Sequence, residues 1–197
     1  MSWNTSCRPS TEDLPEAGQR APAQAKPVVV GVGDCKISAD PRSELVTYAL
    51  GSCIAVSIWD PVSKVGGLLH FMLPDSAVDR ASGGRDNPYR YADTGTPMLF
   101  RGAYQQGAEK RRLVVRLAGG AAVVDSGGVF NIGKRNYAAL RKILWKAGVM
   151  VHCEDVGGSN SRTVRLEVGS GKFFVRGPRE SERELQAPPS SAMGGGL

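Results

Sequence analysis

The amino-acid sequence predicts an α+β fold. Short runs with strand-like patterns outnumber helical stretches by roughly eight to two. The strand-like runs are clustered and do not alternate regularly with helices, which argues against a doubly wound parallel sheet. No internal repeat is found, so these elements are expected to form one domain of about 150 residues.

Composition divides the chain into a central domain and two tails. Residues 1–27 mix Ser, Pro, Glu, Ala and Gln with few large apolar side chains, and 178–197 end in a glycine-rich stretch. Neither segment holds enough apolar surface to offset the entropy lost on ordering, so both are predicted to be disordered. The domain is therefore expected to span residues 28–177.

The first half of the domain predicts a β-hairpin. Val28–Val32 and Leu45–Leu50 are rich in residues typical of strands. In 54–59 large apolar residues alternate with others, as in a strand with two different faces. A polar turn with proline follows at 60–64, and 65–71 is the expected returning strand.

The second half contains both predicted helices. Residues 75–95 are polar and predicted as a long loop. Thr96-Pro97 fits a helix start and Gly107 a stop, while Asn131 fits the cap of a second helix that reaches Ala147. The predicted strands here are 113–117, 149–153, 164–168 and 172–176.

Composition and charge exclude some classes of function. The chain has 197 residues, 41% hydrophobic and 22% charged, without the roughly 18 consecutive apolar residues of a membrane span. The N-terminus lacks a secretory signal, so a cytoplasmic location is expected. Residues 28–177 hold 20 basic and 13 acidic side chains, a net charge of +7, which favours acidic partners.

The candidate chemistry concentrates around Cys53. Gly51 allows a tight bend before this cysteine, and only two histidines exist in the chain, His70 and His152. If Cys53 opens the first hairpin strand and His70 closes the second, the thiol and imidazole lie at the same end of the pair. A nucleophilic cysteine needs such a base. Thr47 could orient the imidazole as a third member.

A purely structural role for Cys53 and His70 remains an alternative at this point. A cysteine after Gly-Ser is more often a small buried hydrophobe, and a histidine in an apolar strand is more often a satisfied core residue. Cys7, Cys35 and Cys153 are weaker candidates than Cys53. Spacing alone does not decide between the two interpretations.

An ordered set of motifs across residues 28–177 resembles the CheD family. The motifs are Leu-Gly-Ser-Cys at 50–53, Asp-Pro at 60–61, Lys-Val-Gly-Gly at 64–67, His-Phe-Met-Leu-Pro at 70–74, Tyr91 with Asp93, Gly-Gly-Ala at 119–121, Ile-Gly-Lys-Arg-Asn at 132–136, and Asp-Val-Gly-Gly at 155–158 followed by Arg162. The chain departs from the usual pattern at Arg116-Leu117-Ala118 and at Ser161, both away from the Cys–His pair. These departures bear on partner contacts more than on chemistry.

The resemblance implies a glutamine deamidase that acts on chemoreceptors. It maps the family's cysteine, histidine and threonine onto Cys53, His70 and Thr47. It also implies a layered, β-sandwich-like core with flanking helices, similar to the catalytic domain of cytotoxic necrotising factors. Chemoreceptor cytoplasmic helices are the implied substrate and a CheC-type phosphatase a further partner. The same chemistry could cleave glutamyl methyl esters.

The expected mechanism is thioester formation followed by hydrolysis. His70 takes the thiol proton, and backbone N–H groups around Ser52 and Cys53, in a turn supported by Gly51, bind the oxyanion. No metal or other cofactor is needed. Asn136 and the glycines at 119–120 and 157–158 are interpreted mainly as residues that support turns and caps. A position of Asn136 near the site is the less favoured alternative.

Three rival functions are weighed. The first is a regulatory CheC-binding module with little catalysis, against which the intact Cys53, His70 and Thr47 argue. The second is nucleic-acid binding, suggested by the pI of 9.3, but no recognised binding motif is found. The third is a metal hydrolase, but two histidines and scattered carboxylates give no recognised ligand spacing.

Overall fold

The computed structural model describes residues 27–79, 81, 83–122 and 131–186. Within these residues the chain forms two α-helices and ten β-strands. The helices are α1 (Ala92–Gln105) and α2 (Ile132–Lys146). The strands are β1 (Val28–Val29), β2 (Asp34–Ser38), β3 (Glu44–Leu50), β4 (Ile54–Asp60), β5 (Val65–Phe71), β6 (Val114–Gly119), β7 (Cys153–Val156), β8 (Arg162–Glu167), β9 (Phe173–Arg176) and β10 (Arg183–Glu184).

The strands form two five-stranded mixed sheets. Sheet I has the order β1-β3-β8-β9-β10, and sheet II has the order β2-β5-β4-β6-β7. The pairs β1–β3 and β6–β7 are parallel, and the other neighbours are antiparallel. The predicted α+β class is confirmed.

Sheet II is the middle of three layers, because strand β4 buries both of its faces. Ile54, Val56 and Ile58 pack in a cluster with the apolar residues of α1 and α2. Ala55, which points the other way, packs in a second cluster with residues of sheet I. Alternation along a strand places these two sets on opposite faces. One cluster therefore lies under the helices, and the other lies between the sheets.

The hairpin predicted from the sequence is formed by β4 and β5. The ladder runs from the pair Ile54–Phe71 at one end to the pair Asp60–Val65 at the other. In the turn, the carboxylate of Asp60 accepts hydrogen bonds from the backbone N–H groups of Val62 and Ser63 at 2.9 and 3.3 Å. Such Asx contacts stabilise a tight turn.

Helix α1 begins at Ala92, one turn earlier than predicted. Residues 75–95 are also not a continuous loop, since 3₁₀ turns occupy Ser76–Val78 and Pro88–Arg90. Ala92 N–H donates to Leu73 O at 2.9 Å, and the carboxylate of Asp93 accepts from the backbone and hydroxyl of Ser76. These contacts fix the first turn, so Pro97 lies inside the helix. The start predicted at Thr96-Pro97 is therefore wrong.

Three other elements differ from the prediction. The strand expected over 149–153 starts only at Cys153 and continues to Val156. Strand β2 was not predicted. Residues 178–186 were assigned to the C-terminal tail, yet β10 pairs with β9 there and Leu185 is buried. The rest of both predicted tails, 1–26 and 187–197, lies outside the described residues.

Candidate active site

The imidazole of His70 lies between the two sheets. His70 pairs with Ala55 of β4 and is 1% exposed. Thr47, from β3 of sheet I, is equally buried, and its Oγ1 lies 2.7 Å from Nδ1 of His70. This hydrogen bond crosses the interior of the sandwich. The contact expected between these two residues is therefore present, and it orients the imidazole from the opposite sheet.

Burial keeps the imidazole of His70 neutral, and its Nε2 atom is buried without a hydrogen-bond partner among the described residues. Loss of solvent lowers the pKa of the imidazole to about 4, so the ring is neutral at neutral pH. Among the described residues, none forms a hydrogen bond with the buried Nε2. In the tautomer with the proton on Nδ1, that proton is donated to Thr47 Oγ1 and Nε2 can accept another proton.

Cys53 lies at the end of the hairpin that carries His70. It is half-buried and immediately precedes Ile54, which pairs with Phe71. It packs in the same inter-sheet cluster as Ala55. Cysteine and histidine are thus at the same end and on the same side of sheet II. Among the hydrogen bonds of the described residues there is none between Cys53 Sγ and His70 Nε2.

The thiol is protonated in the free protein. Burial raises the pKa of Cys53, while its own backbone N–H lowers it by a smaller amount. A protonated thiol beside a neutral imidazole differs from a preformed thiolate–imidazolium pair. Catalytic hydrogen bonds are often long in free enzymes and shorten in the substrate complex. If Cys53 acts as a nucleophile, this arrangement favours transfer of its proton during attack over ionisation in advance.

Every carbonyl of the loop at 51–53 accepts a hydrogen bond from the segment after β6 or from α2. Gly51 O accepts from Ala121 N at 2.8 Å, and Cys53 O accepts from Gly120 N at 2.7 Å. Ser52 O accepts from the side chain of Asn136 at 3.0 Å. Gly119 has a φ of +112°, and a Cβ at this position would collide with Cys53 O. The glycines at 119–120 thus allow close backbone approach to the loop.

The N–H groups of the loop point away from these contacts. In a trans peptide the N–H is directed opposite to the preceding C=O. The carbonyls of Gly51 and Ser52 face the protein, so the N–H groups of Ser52 and Cys53 face the other way. Apart from the contact of the Cys53 N–H with its own sulfur, neither of these N–H groups has a hydrogen-bond acceptor among the described residues. Two adjacent backbone donors are therefore available beside the sulfur.

Asn136 has a closer link to the loop than the sequence interpretation gave it. The residue is fully buried in α2, and its amide also donates to Met72 O at 2.9 Å. The signal in the sequence is its position. Asn136, Leu140 and Leu144 follow a four-residue spacing, so a polar residue occupies the apolar stripe of the helix.

An open groove lies on the outer side of sheet I near the same end of the sandwich. It has a volume of about 540 Å³ and is lined by Tyr48 and Ala49 of β3, Arg162 and Thr163 of β8, Arg176 of β9 and the turn at 177–180. A register shift between Thr47 and Leu50 gives Ala49 a φ of +54° and leaves Tyr48 exposed. Such bulges redirect the side chains of a strand.

The charged side chains around this groove differ in their pairing. Arg162 is held by Asp155 in an ion pair of 2.8 Å. Arg176 and Arg179 are exposed, and in the described part of the chain neither forms a salt bridge. Glu180 also lines the groove. The two unpaired arginines give the groove a positive character that an acidic surface complements.

Two kinds of feature are absent from the part of the chain that the structure describes. Over residues 27–79, 81, 83–122 and 131–186 there is no group of three or more His, Cys, Asp or Glu side chains that could hold a metal ion. Neither of the two helices described is long and apolar enough to span a bilayer.

Comparison with known proteins identifies the family. The family model described as "CheD chemotactic sensory transduction" matches residues 72–177. A protein of Solibacter usitatus named "Probable chemoreceptor glutamine deamidase CheD" is 53% identical over 169 residues, which cover 86% of this chain and 98% of that protein. An aligned stretch of that length necessarily includes the segment from Thr47 to His70.

Two further relatives agree. A protein of Anaeromyxobacter dehalogenans named "Probable chemoreceptor glutamine deamidase CheD 2" is 52% identical over 76% of this chain and 93% of its own length. The "Chemoreceptor glutamine deamidase CheD" of Thermotoga maritima is 41% identical over 75% of this chain and 90% of its own length. The chain belongs to the CheD family.

Proposed function

We propose that this protein hydrolyses the side-chain amide of specific glutamines on chemoreceptors, producing glutamate and ammonia. The observation that carries the proposal is the 2.7 Å bond between Thr47 and His70, which leaves Nε2 unpartnered at the end of the hairpin where Cys53 lies. The names of the relatives, chemoreceptor glutamine deamidases, supply the substrate.

In the proposed first step, Nε2 of His70 accepts the thiol proton as Cys53 Sγ attacks the amide carbon. The oxygen becomes an oxyanion and the imidazole an imidazolium. Thr47 Oγ1, which accepts the proton on Nδ1, stabilises that cation. The imidazolium then protonates the amide nitrogen, the C–N bond breaks, and ammonia leaves a thioester on Cys53.

The second step returns the enzyme to its starting state. His70 removes a proton from water, the hydroxyl attacks the thioester carbon, and the C–S bond breaks. The imidazolium returns a proton to the sulfur, and the product is the side-chain acid. These steps use side chains and water without another cofactor. A glutamyl methyl ester would react in the same way, with methanol as the leaving group.

The N–H groups of Ser52 and Cys53 are the proposed oxyanion donors. They are adjacent, and among the described residues neither has an acceptor other than the Cys53 sulfur, which the Cys53 N–H contacts. Preorganised donors lower the barrier because they need not reorient when charge develops. The bend at Gly51, whose own carbonyl is held by Ala121, supports this orientation.

The groove beside Tyr48 is the proposed contact for the receptor. Receptor helices with acidic surfaces fit the positive character that Arg176 and Arg179 give it. The cytoplasmic helices of receptors are the proposed substrate, which implies action in the cytoplasm. The likeness to cytotoxic necrotising factor catalytic domains stays a prediction from the family.

A regulatory role is the second candidate, and the state of the thiol favours it. A half-buried, protonated Cys53 that forms no hydrogen bond with His70 among the described residues is suited to low basal activity. Binding to a CheC-type phosphatase could then be a function of the fold alongside catalysis. Under this alternative, Cys53→Ala retains partner binding, and the wild type releases little ammonia.

The test is incubation with a chemoreceptor cytoplasmic fragment. Wild type should release ammonia, and mass spectrometry should locate the glutamines converted to glutamate. Cys53→Ala should do neither. Cys35→Ala is the matched control, since Cys35 is another half-buried cysteine, but on β2 and with a pKa that burial raises to about 12. Equal deamidation by wild type and Cys53→Ala would refute the proposal.

A further inference from the structure

Asn136 joins the two strand ends that carry the proposed site. Its two amide protons are both used, one on Ser52 O at 3.0 Å and one on Met72 O at 2.9 Å. Ser52 directly precedes Cys53, and Met72 follows the last residue of β5. The last ladder pair between β4 and β5 is Ile54–Phe71. The amide therefore links the two strands one step beyond their last ladder pair, although Asn136 itself belongs to α2.

This connection has a cost that packing alone does not explain. The Oδ1 atom of Asn136 is buried and has no hydrogen-bond partner among the described residues. A buried acceptor without a donor destabilises the folded state. A leucine would continue the apolar stripe formed with Leu140 and Leu144 and would bury no oxygen of its own, although it would leave the carbonyls of Ser52 and Met72 without this donor. Rotating the amide by half a turn would direct Oδ1 at two carbonyls, so the observed orientation is the only one that both contacts permit.

The contact with Ser52 determines where the Cys53 N–H points. The peptide between Ser52 and Cys53 is trans, so holding its C=O toward α2 directs its N–H away from α2. That N–H lies near the Cys53 sulfur and lacks another acceptor among the described residues. The contact with Met72 acts at the same time on the strand that carries His70.

We propose that Asn136 is a positioning residue for the deamidation reaction, which aims the Cys53 N–H at the substrate oxyanion. The inference rests on the proposed function. Asn136 contacts neither the sulfur nor the imidazole in this arrangement. Its effect passes through the backbone of the loop at 51–53.

Two variants separate positioning from folding. Asn136→Leu removes both donors and the unpartnered oxygen, and it suits the apolar stripe. Asn136→Asp keeps the size of the side chain but turns a carboxylate oxygen toward the two carbonyls. Tyr137→Phe is the matched control on the same helix, since it loses a 2.6 Å bond to Glu154 and no contact with the loop.

The expected result is a fall in kcat with little change in KM. A misdirected oxyanion donor lowers kcat on the order of tenfold to a hundredfold. Alkylation of Cys53 by iodoacetamide forms no oxyanion, so its rate should stay within about twofold of wild type and the pH midpoint of that rate should be unchanged. A purely structural role would lower alkylation, substrate binding and kcat together. Tyr137→Phe should match wild type in all three.

The outcomes distinguish this inference from the proposed function. If wild type itself releases no ammonia from the receptor fragment, the proposed function fails and takes this inference with it. If wild type is active and Asn136→Leu keeps its kcat, only the positioning role is refuted. A parallel fall of kcat and alkylation rate also refutes it. Each variant is assayed below its own Tm, so that reduced stability does not enter the comparison.

Discussion

Replacing Thr47 with valine tests the bond that joins the two sheets. The change preserves the shape of the side chain and removes only the hydroxyl that lies 2.7 Å from His70 Nδ1. In the proposed mechanism this hydroxyl stabilises the imidazolium that forms during attack. Thr47→Val should therefore slow catalysis while leaving the surface that meets the substrate unchanged.

The size of the effect follows from the burial of both groups. Losing this partner costs the imidazolium about 1 kcal/mol more than it costs the neutral ring, and about 1.4 kcal/mol corresponds to a factor of ten in rate. A decrease in kcat of about fivefold is expected. The ground state also retains a buried Nδ1 without a partner, which costs about 2 kcal/mol of unfolding free energy, or roughly 4–8 °C in Tm.

The assay is ammonia release from a receptor fragment, combined with thermal unfolding. Thr96→Val is the matched control, because Thr96 is 2% exposed and its hydroxyl has no hydrogen-bond partner among the described residues. That variant should match wild type in kcat and be equally or more stable. If Thr47→Val retains the wild-type kcat, the hydroxyl does not orient the base and the triad interpretation is wrong.

Three further predictions concern pH, the substrate groove and the hairpin turn. The pKa of His70 is about 4 in the folded state and 6.5 as a free side chain, so the unfolded chain binds more protons between these values. The free energy of unfolding, measured with urea, should therefore fall by about 3 kcal/mol as pH drops from 6.5 to 4, and His70→Gln should lack most of this loss. The double variant Arg176→Glu with Arg179→Glu should raise KM on the order of tenfold at low salt with kcat unchanged, and the difference should shrink as ionic strength increases. A KM equal to that of wild type would show that the groove does not bind the substrate. Asp60→Ala should lower the unfolding free energy by about 3 kcal/mol and Tm by roughly 6–12 °C, because it leaves Arg112 without the fully buried carboxylate 2.8 Å away. Specific activity below Tm should persist, because Asp60 is at the far end of the hairpin from Cys53.

Asp60 also shows how the folded state controls a buried carboxylate. Burial alone would raise its pKa, but Arg112 and the backbone N–H groups of Glu109, Val62 and Ser63 donate to it and hold the pKa well below its usual value. The carboxylate therefore stays charged at every pH at which the protein is expected to work. This stabilising contribution is lost only in strong acid, as pH falls below the ordinary range for aspartate.

The hairpin was predictable because its local signals agree. Alternation over 54–59, a proline-containing turn and a second apolar run all indicate the same structure, and β4 and β5 follow it. Strand β2 carried no comparable signal, since Asp34–Ser38 is an edge strand that is half exposed and holds one large aliphatic side chain, Ile37. Strand β10 has only two residues, so its pairing with β9 depends on tertiary packing around Leu185.

The sequence suggested members for the candidate site but not the contacts among them. Chemistry and family motifs drew attention to Cys53, His70 and Thr47, but no periodicity indicates that β3 and β5 belong to different sheets. The contact between Thr47 and His70 therefore follows from how the sheets stack. Asn136 was undervalued for a related reason, because its partners are backbone carbonyls 84 and 64 residues away, which leave no side-chain pattern.

The contact between Thr47 and His70 makes the orientation of the imidazole sensitive to how the two sheets are aligned. One residue along a strand is about 3.3 Å, whereas a hydrogen bond weakens within a few tenths of an ångström beyond its usual length. A partner that pulled sheet I by a small part of one residue step would release the ring of His70 without unfolding any strand. Displacement of a whole layer would thus free this imidazole, even when the force acts on the face farthest from the helices.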